Sequence, residues 1–264
     1  MKTRTCKAIF EITVLHFLLS IISYGQIGGI SGAKLCVPEA SVLPSGGFEF
    51  EPSFSVFNAS SRFCENGTIE SLSGKNISSN VSFRVTAGVA DDLELGASFS
   101  STIEQVSFGS KYIFFDSKNL HLALIAGISL PAGNKFIADT LQDDNNNFTS
   151  SYGSIATLKL DKSSSLDIIL SYTRIHGVHP FNNILSCGIG VGRWLSQKFQ
   201  GVLELNGFVT WNGQLHSDKL SILPGITYRI SSLLLFVLGA QFDLIGKNED
   251  KGYGYFSAFT MTFN

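Results

Sequence analysis

The sequence predicts an all-β chain that closes into a single antiparallel transmembrane β-barrel of about 12 strands. Three observations predict it. Apolar and polar residues alternate with a period of two along most of the chain. No apolar run could form a membrane helix, although the chain is apolar on average. The connections between alternating segments sort into a short set and a longer, more polar set. The alternation is clearest from Val81 to Phe99. Val81, Phe83, Val85 and Ala87 share one face, with Ser82, Arg84, Thr86 and Gly88 on the other. After a tight Val89–Asp92 turn, Leu93, Leu95, Ala97 and Phe99 alternate against Asp92, Glu94, Gly96 and Ser98. A period of two marks a strand whose faces meet different surroundings.

Composition agrees. With 22 Phe, 26 Gly, six Pro and 15% charged residues, mean hydropathy is +0.21. Yet the longest apolar run after residue 25 is Leu233–Ala240, far short of the roughly 20 residues of a membrane helix. A secreted sandwich shares this composition, but a membrane barrel requires it, because its apolar residues occupy alternate positions on many strands.

The elements follow in order. Lys2, Arg4 and Lys7 precede a short apolar core, Ile12–Ile22, and the small residues around Ser23-Tyr24-Gly25. Residues 1–25 therefore read as a cleaved secretory signal. Cys36 follows Ala33-Lys34-Leu35 and does not read as a lipid-modified cysteine. Losing residues 1–25 removes three basic residues and Glu11, leaving 16 basic and 20 acidic residues, a net charge of −4. That balance argues against a nucleic-acid partner. Residues 26–46 show no clear period and read as an irregular N-terminal segment, a candidate plug. Residues 47–264 form the barrel.

Twelve strands are expected: Phe48–Phe57, Ser79–Gly88, Leu93–Ser101, Gln105–Phe115, Leu120–Leu130, Tyr152–Leu160, Ser165–Ile175, Ile184–Trp194, Phe199–Thr210, Lys219–Arg229, Leu233–Leu244 and Tyr253–Phe263. Most approach the 9–11 residues, roughly, of a tilted membrane strand. The connections after the even strands are short: Val89–Asp92, Asp116–Asn119, Asp161–Ser164, Leu195–Lys198 and Ile230–Ser232. After the odd strands, Asn58–Ser78 and Pro131–Ser151 are long, His176–Asn183 and Ile245–Gly252 intermediate, and Thr102–Glu104 short. Short periplasmic turns opposite longer outer loops, with an even strand count, are the outer-membrane pattern. The last strand carries Tyr253, Tyr255, Phe259, Met261 and Phe263 on one face, with the usual terminal aromatic displaced one place by Asn264. This ending resembles the signal read by bacterial barrel-assembly machinery.

Opposite the apolar stripe lie Glu49, Glu51, Arg84, Glu94, Lys111, Lys159, Asp167, Glu204, Arg229 and Asp243. Facing lipid, each would cost up to about 2–4 kcal/mol at the midplane. Lining a lumen, charges of both signs pair and are wetted. A solvated sheet face is the alternative. Tyr112, Phe115, Tyr172, Trp194, Trp211 and Tyr228 near strand ends suit interfacial girdles.

Four segments carry a family resemblance: P-S-G-G-F-E-F-E-P-S-F at 44–54, G-V-A-D-D-L-E-L-G-A-S-F at 88–99, G-S-K-Y-I-F at 109–114 and A-G-I-S-L-P-A-G-N at 126–134. In this order they resemble bacterial outer-membrane proteins of the MetA-pathway of phenol degradation, often described as transporters. The second half matches by strand pattern alone. The resemblance implies one barrel in the outer membrane and passage of small molecules, apolar ones included. It brings no catalytic or binding residues.

Catalytic chemistry is sparse. His176 and His179 are three apart in an outer loop, but no Ser stands where the His-x-Ser-Asn element of barrel lipid hydrolases requires one. Without a Cys or a third ligand nearby, the pair reads as surface histidines rather than a metal site. Asp139, Asp143 and Asp144, followed by Asn145–Asn147, read as a solvated acidic loop rather than a cation site. Gly188, Gly190 and Gly192 alternate with Ile189 and Val191 and place small residues on the inward face, for close packing or lumen space. The Asn-x-Ser/Thr sites at Asn58, Asn66, Asn76, Asn80 and Asn147 have meaning only in a eukaryotic secretory pathway. No catalytic, cofactor-binding or metal residue is assigned.

Cys36, Cys64 and Cys187 follow the signal. Cys187 shares an apolar face with Leu185, Ile189 and Val191, and reads as lipid-facing. Strand one is about 35 Å long at 3.3 Å per residue, so Cys36 and Cys64 start on opposite sides of the membrane. A bond between them would require residues 26–46 to thread the lumen; the alternative leaves both thiols unbonded.

The expectation is a passive channel or carrier for small molecules in a bacterial outer membrane. Its partners are outer-membrane lipid, the barrel-assembly machinery and a small-molecule solute. A structural or adhesive barrel with a closed lumen and a lipid-modifying barrel enzyme are the rival readings. Neither the solute nor the oligomeric state follows from the pattern.

Overall fold

The computed structural model describes residues 27–32, 34–132, 148–177, 182–213 and 216–263. The expected signal at 1–25, His179, and the acidic run of Asp139, Asp143, Asp144 and Asn145–Asn147 lie outside the described residues.

The strands are β1 (Phe48–Phe63), β2 (Ile69–Ala90), β3 (Leu93–Ser100), β4 (Gln105–Asp116), β5 (Leu120–Pro131) and β6 (Thr149–Lys159), then β7 (Ser164–Ile175), β8 (Asn182–Trp194), β9 (Phe199–Trp211), β10 (His216–Arg229), β11 (Leu234–Lys247) and β12 (Glu249–Phe263). Each pairs antiparallel with its neighbours in sequence, and β1 pairs with β12 to close the barrel. Closure leaves no sheet edge within the bilayer, where an unpaired backbone group would cost several kcal/mol. Outward positions carry Leu124, Ile128, Leu170, Ile189, Leu203 and Leu205, all exposed by 40–51%. In water such a band would be a liability; against lipid it anchors the barrel. Cys187 lies on this outer face, and it is exposed.

Two expected loops are strand instead. Residues 58–63 extend β1 and residues 69–78 extend β2, so the connection expected at Asn58–Ser78 shrinks to a turn at 64–68. Ser, Asn and Gly dominate this hairpin. Ala59 and Phe63 are buried, but Ile69 and Ile77 are exposed and mostly polar residues fill the positions between them, so no period-two apolar signal runs through the hairpin. Likewise β11 and β12 are joined at Asn248 alone, not by an Ile245–Gly252 loop. Asn248 has a φ of 53°, a left-handed conformation that asparagine tolerates. The sorting of connections by length is therefore weaker than expected: among odd connections, only the one between β5 and β6 is long.

The interior is not filled by wall side chains alone. From Gly47 the chain runs back into the barrel, where Ile27, Ile30, Val37 and Ala40 pack against Ala123, Ile125, Ile155 and Ile169. Leu35 joins a second cluster with Val202, Leu223, Val237 and Ala258. The core of this protein lies inside the lumen, between the wall and residues 27–47.

Candidate functional site

The site is the lumen with the segment it holds. Gly47 sits at the turn end, where Gly46 N–H donates to Gly88 O at 2.9 Å and Gly88 N–H to Gly47 O at 2.9 Å. Leu43 lies against Glu94, Ala40 against Thr157, residues 35–37 against Glu204 and Lys34 against Asp167. The chain then returns to the first wall, placing Ser31 on Glu94 and Gly29 on Thr86. It thus crosses the lumen from β2–β4 to β6–β9 and comes back.

Three carboxylates, all fully buried, hold it. Glu204 accepts three consecutive backbone N–H groups, from Leu35 at 3.1 Å, Cys36 at 2.8 Å and Val37 at 3.0 Å. Successive N–H groups converging on one anion form a nest. Glu94 accepts from Ser31 N–H at 2.7 Å, Ser31 Oγ at 2.6 Å and Leu43 N–H at 3.0 Å. It also pairs with Lys111 Nζ at 3.2 Å. Asp167 pairs with Lys34 and accepts from Thr157 Oγ1 at 2.6 Å.

The segment's carbonyls are met by wall donors. Thr86 Oγ1 donates to Gly29 O at 2.7 Å, Lys111 Nζ to Ser31 O at 2.9 Å and to Glu39 O at 3.2 Å, and Arg84 to Ile30 O. Arg84 also bridges Glu49 at 2.6 Å and Glu51 at 2.8 Å. A buried polar strand is costly unless such partners exist.

The close approach depends on absent side chains. A Cβ built on Gly188 would stand 2.9 Å from Val37 Cγ2, on Gly192 2.6 Å from Lys34 Cδ, and on Gly225 2.6 Å from Leu35 Cδ2. On the opposite wall, a Cβ on Gly127 would stand 2.6 Å from Ile27 Cγ2.

At the loop end the wall satisfies its own charges. Asp243 accepts from Ser221 Oγ at 2.7 Å, Gln241 Nε2 at 2.9 Å and Gly252 N–H at 3.1 Å, and lies 3.5 Å from Lys219 Nζ. Arg62 pairs with Asp250 at 2.9 Å. Lys219 also stands 5.3 Å above the Phe57 ring.

Of the ten residues expected to line the lumen, Glu49, Glu51, Arg84, Glu94, Lys111, Asp167 and Glu204 come together around residues 27–47, directly or through Arg84. Asp243 sits in the loop-end cluster. Lys159 and Arg229 are exposed at the turn-end rim, where Arg229 stacks on Trp194 at 4.4 Å and donates to Gln197 O at 3.2 Å. The structure has no Cys36–Cys64 disulfide; the segment threads the lumen without one.

Sequence reasoning missed Ser150. Its Oγ lies 2.8 Å from His176 Nε2, and the His176 ring stacks on Phe148 at 4.2 Å. The two residues lie 26 apart in sequence, so a local Ser motif could not reveal them. Only the β6–β7 register brings them together.

No protein-family model matches the chain, and no curated protein matches its sequence. Solved structures match the fold. The COG4313 outer membrane channel from Pseudomonas putida F1 aligns with a TM-score of 0.66 at 11% identity, over 85% of this chain and 98% of that chain. The NanC porin gives 0.54 at 7%, over 81% and 100%. The translocator domain of the autotransporter NalP from Neisseria meningitidis gives 0.51 at 9%, over 84% and 89%. At these identities the likeness establishes a shared fold: this chain is a closed 12-stranded antiparallel barrel of the outer-membrane type.

Proposed function

We propose that this protein is a passive channel for small molecules in a bacterial outer membrane, closed at its turn end by residues 27–47. Residues 1–25 export it, the barrel-assembly machinery inserts it, and outer-membrane lipid surrounds it. One observation carries the reading: the inner half of the lumen is filled by a separate segment packed on the wall, and not by wall side chains alone. A barrel of this size can be packed shut from its own wall. Here Gly96, Gly109 and Gly127 on one wall, and Gly188, Gly190 and Gly192 on the other, leave a space shaped for an occupant. The fold likeness to a channel and a porin supports the reading, as does the resemblance to transporters of a phenol-degradation pathway. An apolar solute would find Ala123, Ile125, Ile155 and Ile169 once the segment moves aside.

Single-channel recording on refolded protein tests this reading. Discrete openings support a gated channel. A folded barrel silent at every voltage, in full-length and segment-deleted forms alike, would leave the structural or adhesive reading.

One observation favours an enzyme instead. Ser150 Oγ and His176 Nε2 are placed as a nucleophile and its base, at the loop end where the outer leaflet lies. Phospholipid hydrolysis abolished by both Ser150→Ala and His176→Ala would establish that reading. Activity at background in the parent chain would remove it.

A further inference from the structure

We propose that the solute is a small organic cation, an ammonium head on an apolar body, that binds where Lys34 now sits. This rests on the channel reading and names its cargo. At the turn end the wall brings five carboxylates, Glu49, Glu51, Glu94, Asp167 and Glu204, against two cations. Arg84 is shared by Glu49 and Glu51, and Lys111 is paired with Glu94. Among the described ion pairs, Asp167 and Glu204 have no cation from the wall. Their partners come from the segment itself: the Lys34 ammonium, and the N–H groups of residues 35–37.

Opening the channel therefore has an electrostatic consequence. When residues 27–47 leave, Asp167 and Glu204 lose those partners and face the solute path. Carboxylates in a narrow lumen with low-dielectric walls concentrate cations and exclude anions. The loop end is balanced: Asp243, Glu249 and Asp250 stand beside Lys219, Arg62 and Lys251, so the selectivity is set at the turn end.

Lys34 shows what the inner position accepts. Its ammonium lies on Asp167, whose second oxygen takes the Thr157 hydroxyl. Thr157 and Asp167 face one another across β6 and β7. Two residues along each strand, Ile155 faces Ile169 in the same way, and Ala123 faces Ile155 from β5. A head on Asp167 would place an apolar body on these aliphatic side chains, which now cover Val37 and Ala40. Anions are offered no equivalent, since Arg84 and Lys111 are already engaged.

Reversal potentials of the full-length protein across a KCl gradient in planar bilayers, repeated with butylammonium chloride, test the proposal. Openings should favour potassium over chloride by about threefold or more, and butylammonium over chloride at least as strongly. Asp167→Asn combined with Glu204→Gln should bring both ratios toward one with openings retained, while Asp161→Asn, in a turn outside the lumen, should change neither. Openings that favour chloride, or ratios untouched by the double variant, would overturn this inference and leave the channel standing. Total silence would overturn the channel, and the cargo with it.

Discussion

At the turn end of the barrel, the buried carboxylates Asp167 and Glu204 are satisfied by a segment that is not part of the wall. At the loop end, Asp243 and Asp250 are satisfied by Lys219, Ser221, Gln241 and Arg62, which belong to the wall. The difference separates two kinds of stability. Loop-end contacts form whenever the strands register. Turn-end contacts form only when residues 27–47 are docked, so docking can be lost while the barrel persists. Weakening the turn end should thus change permeation more than folding, and weakening the loop end should do the reverse.

Deleting residues 27–45 should have the largest effect. The open lumen should give conductance steps severalfold larger than those of the full chain, with heat-modifiable gel mobility still reporting a folded barrel. Equal conductance in the two forms would mean that the segment does not close the path. Glu204→Gln comes next. It removes the negative charge from a carboxylate that accepts three N–H groups, and hydrogen bonds to a charged group contribute about 1.5–3 kcal/mol each. A loss of about 1.4 kcal/mol in docking raises the undocked population tenfold. Cys36 reports it directly, because it lies inside the lumen on Glu204. With Cys64 and Cys187 replaced by Ser, maleimide should label Cys36 about tenfold faster in the variant. Asp243→Asn, at the other end, should leave that rate unchanged and lower the unfolding midpoint instead. If Asp243→Asn speeds labelling as much, the two ends are not independent.

Gly188→Val sharpens the same comparison by packing in place of charge. Its Cβ would meet Val37 Cγ2 of the segment at 2.9 Å, and Ile169 Cγ2 and Asn206 Oδ1 of the wall at 2.9 Å and 2.5 Å. Overpacking of this kind costs about 1–3 kcal/mol. Because the segment can yield more readily than the closed wall, the cost should fall on docking. Cys36 labelling should accelerate, while Ile189→Val, on the outward face of the same strand, should have no effect on it.

What the sequence revealed follows the same division. The wall was legible because period two is a local signal: Val81–Ala87 and Leu93–Phe99 are paired strands, in the register that their alternation requires. Residues 58–78 were not legible as strand, since Ser, Asn and Gly interrupt the alternation and leave Ala59, Phe63, Ile69, Leu72 and Ile77 without a period of two. With them the contrast between short and long connections weakens. The charges of Glu94, Asp167 and Glu204 were legible as inward-pointing, but not what they hold. Glu94 is 63 residues from Ser31, and Glu204 is 168 from Cys36. Nothing in the composition of residues 26–46 encodes those distances; only the closed barrel supplies them. The Ser150–His176 contact was hidden for the same reason.

The smallest expected effect lies outside both halves, in the turn between β6 and β7. Asp161 Oδ1 accepts from Ser163 N–H at 2.6 Å and Ser163 Oγ at 2.8 Å, and Oδ2 from Ser164 Oγ at 3.2 Å. These bonds, the Ser163 backbone bond foremost, favour the ionised carboxylate and hold its pKa below the usual value. A carboxylate with a depressed folded pKa contributes stability above its unfolded pKa and loses it as pH falls through the folded one. Asp161→Asn should therefore lower the unfolding midpoint slightly at pH 7, and the difference from the parent should shrink as pH falls through the depressed folded-state pKa and the parent carboxyl is protonated. Because the turn is exposed and, among the described residues, makes no hydrogen bond to residues 27–47, Cys36 labelling at pH 7 should be the same in the variant and the parent. A labelling change that tracked Asp161 would mean that the turn is coupled to docking, and that the turn end, rim included, acts as one unit.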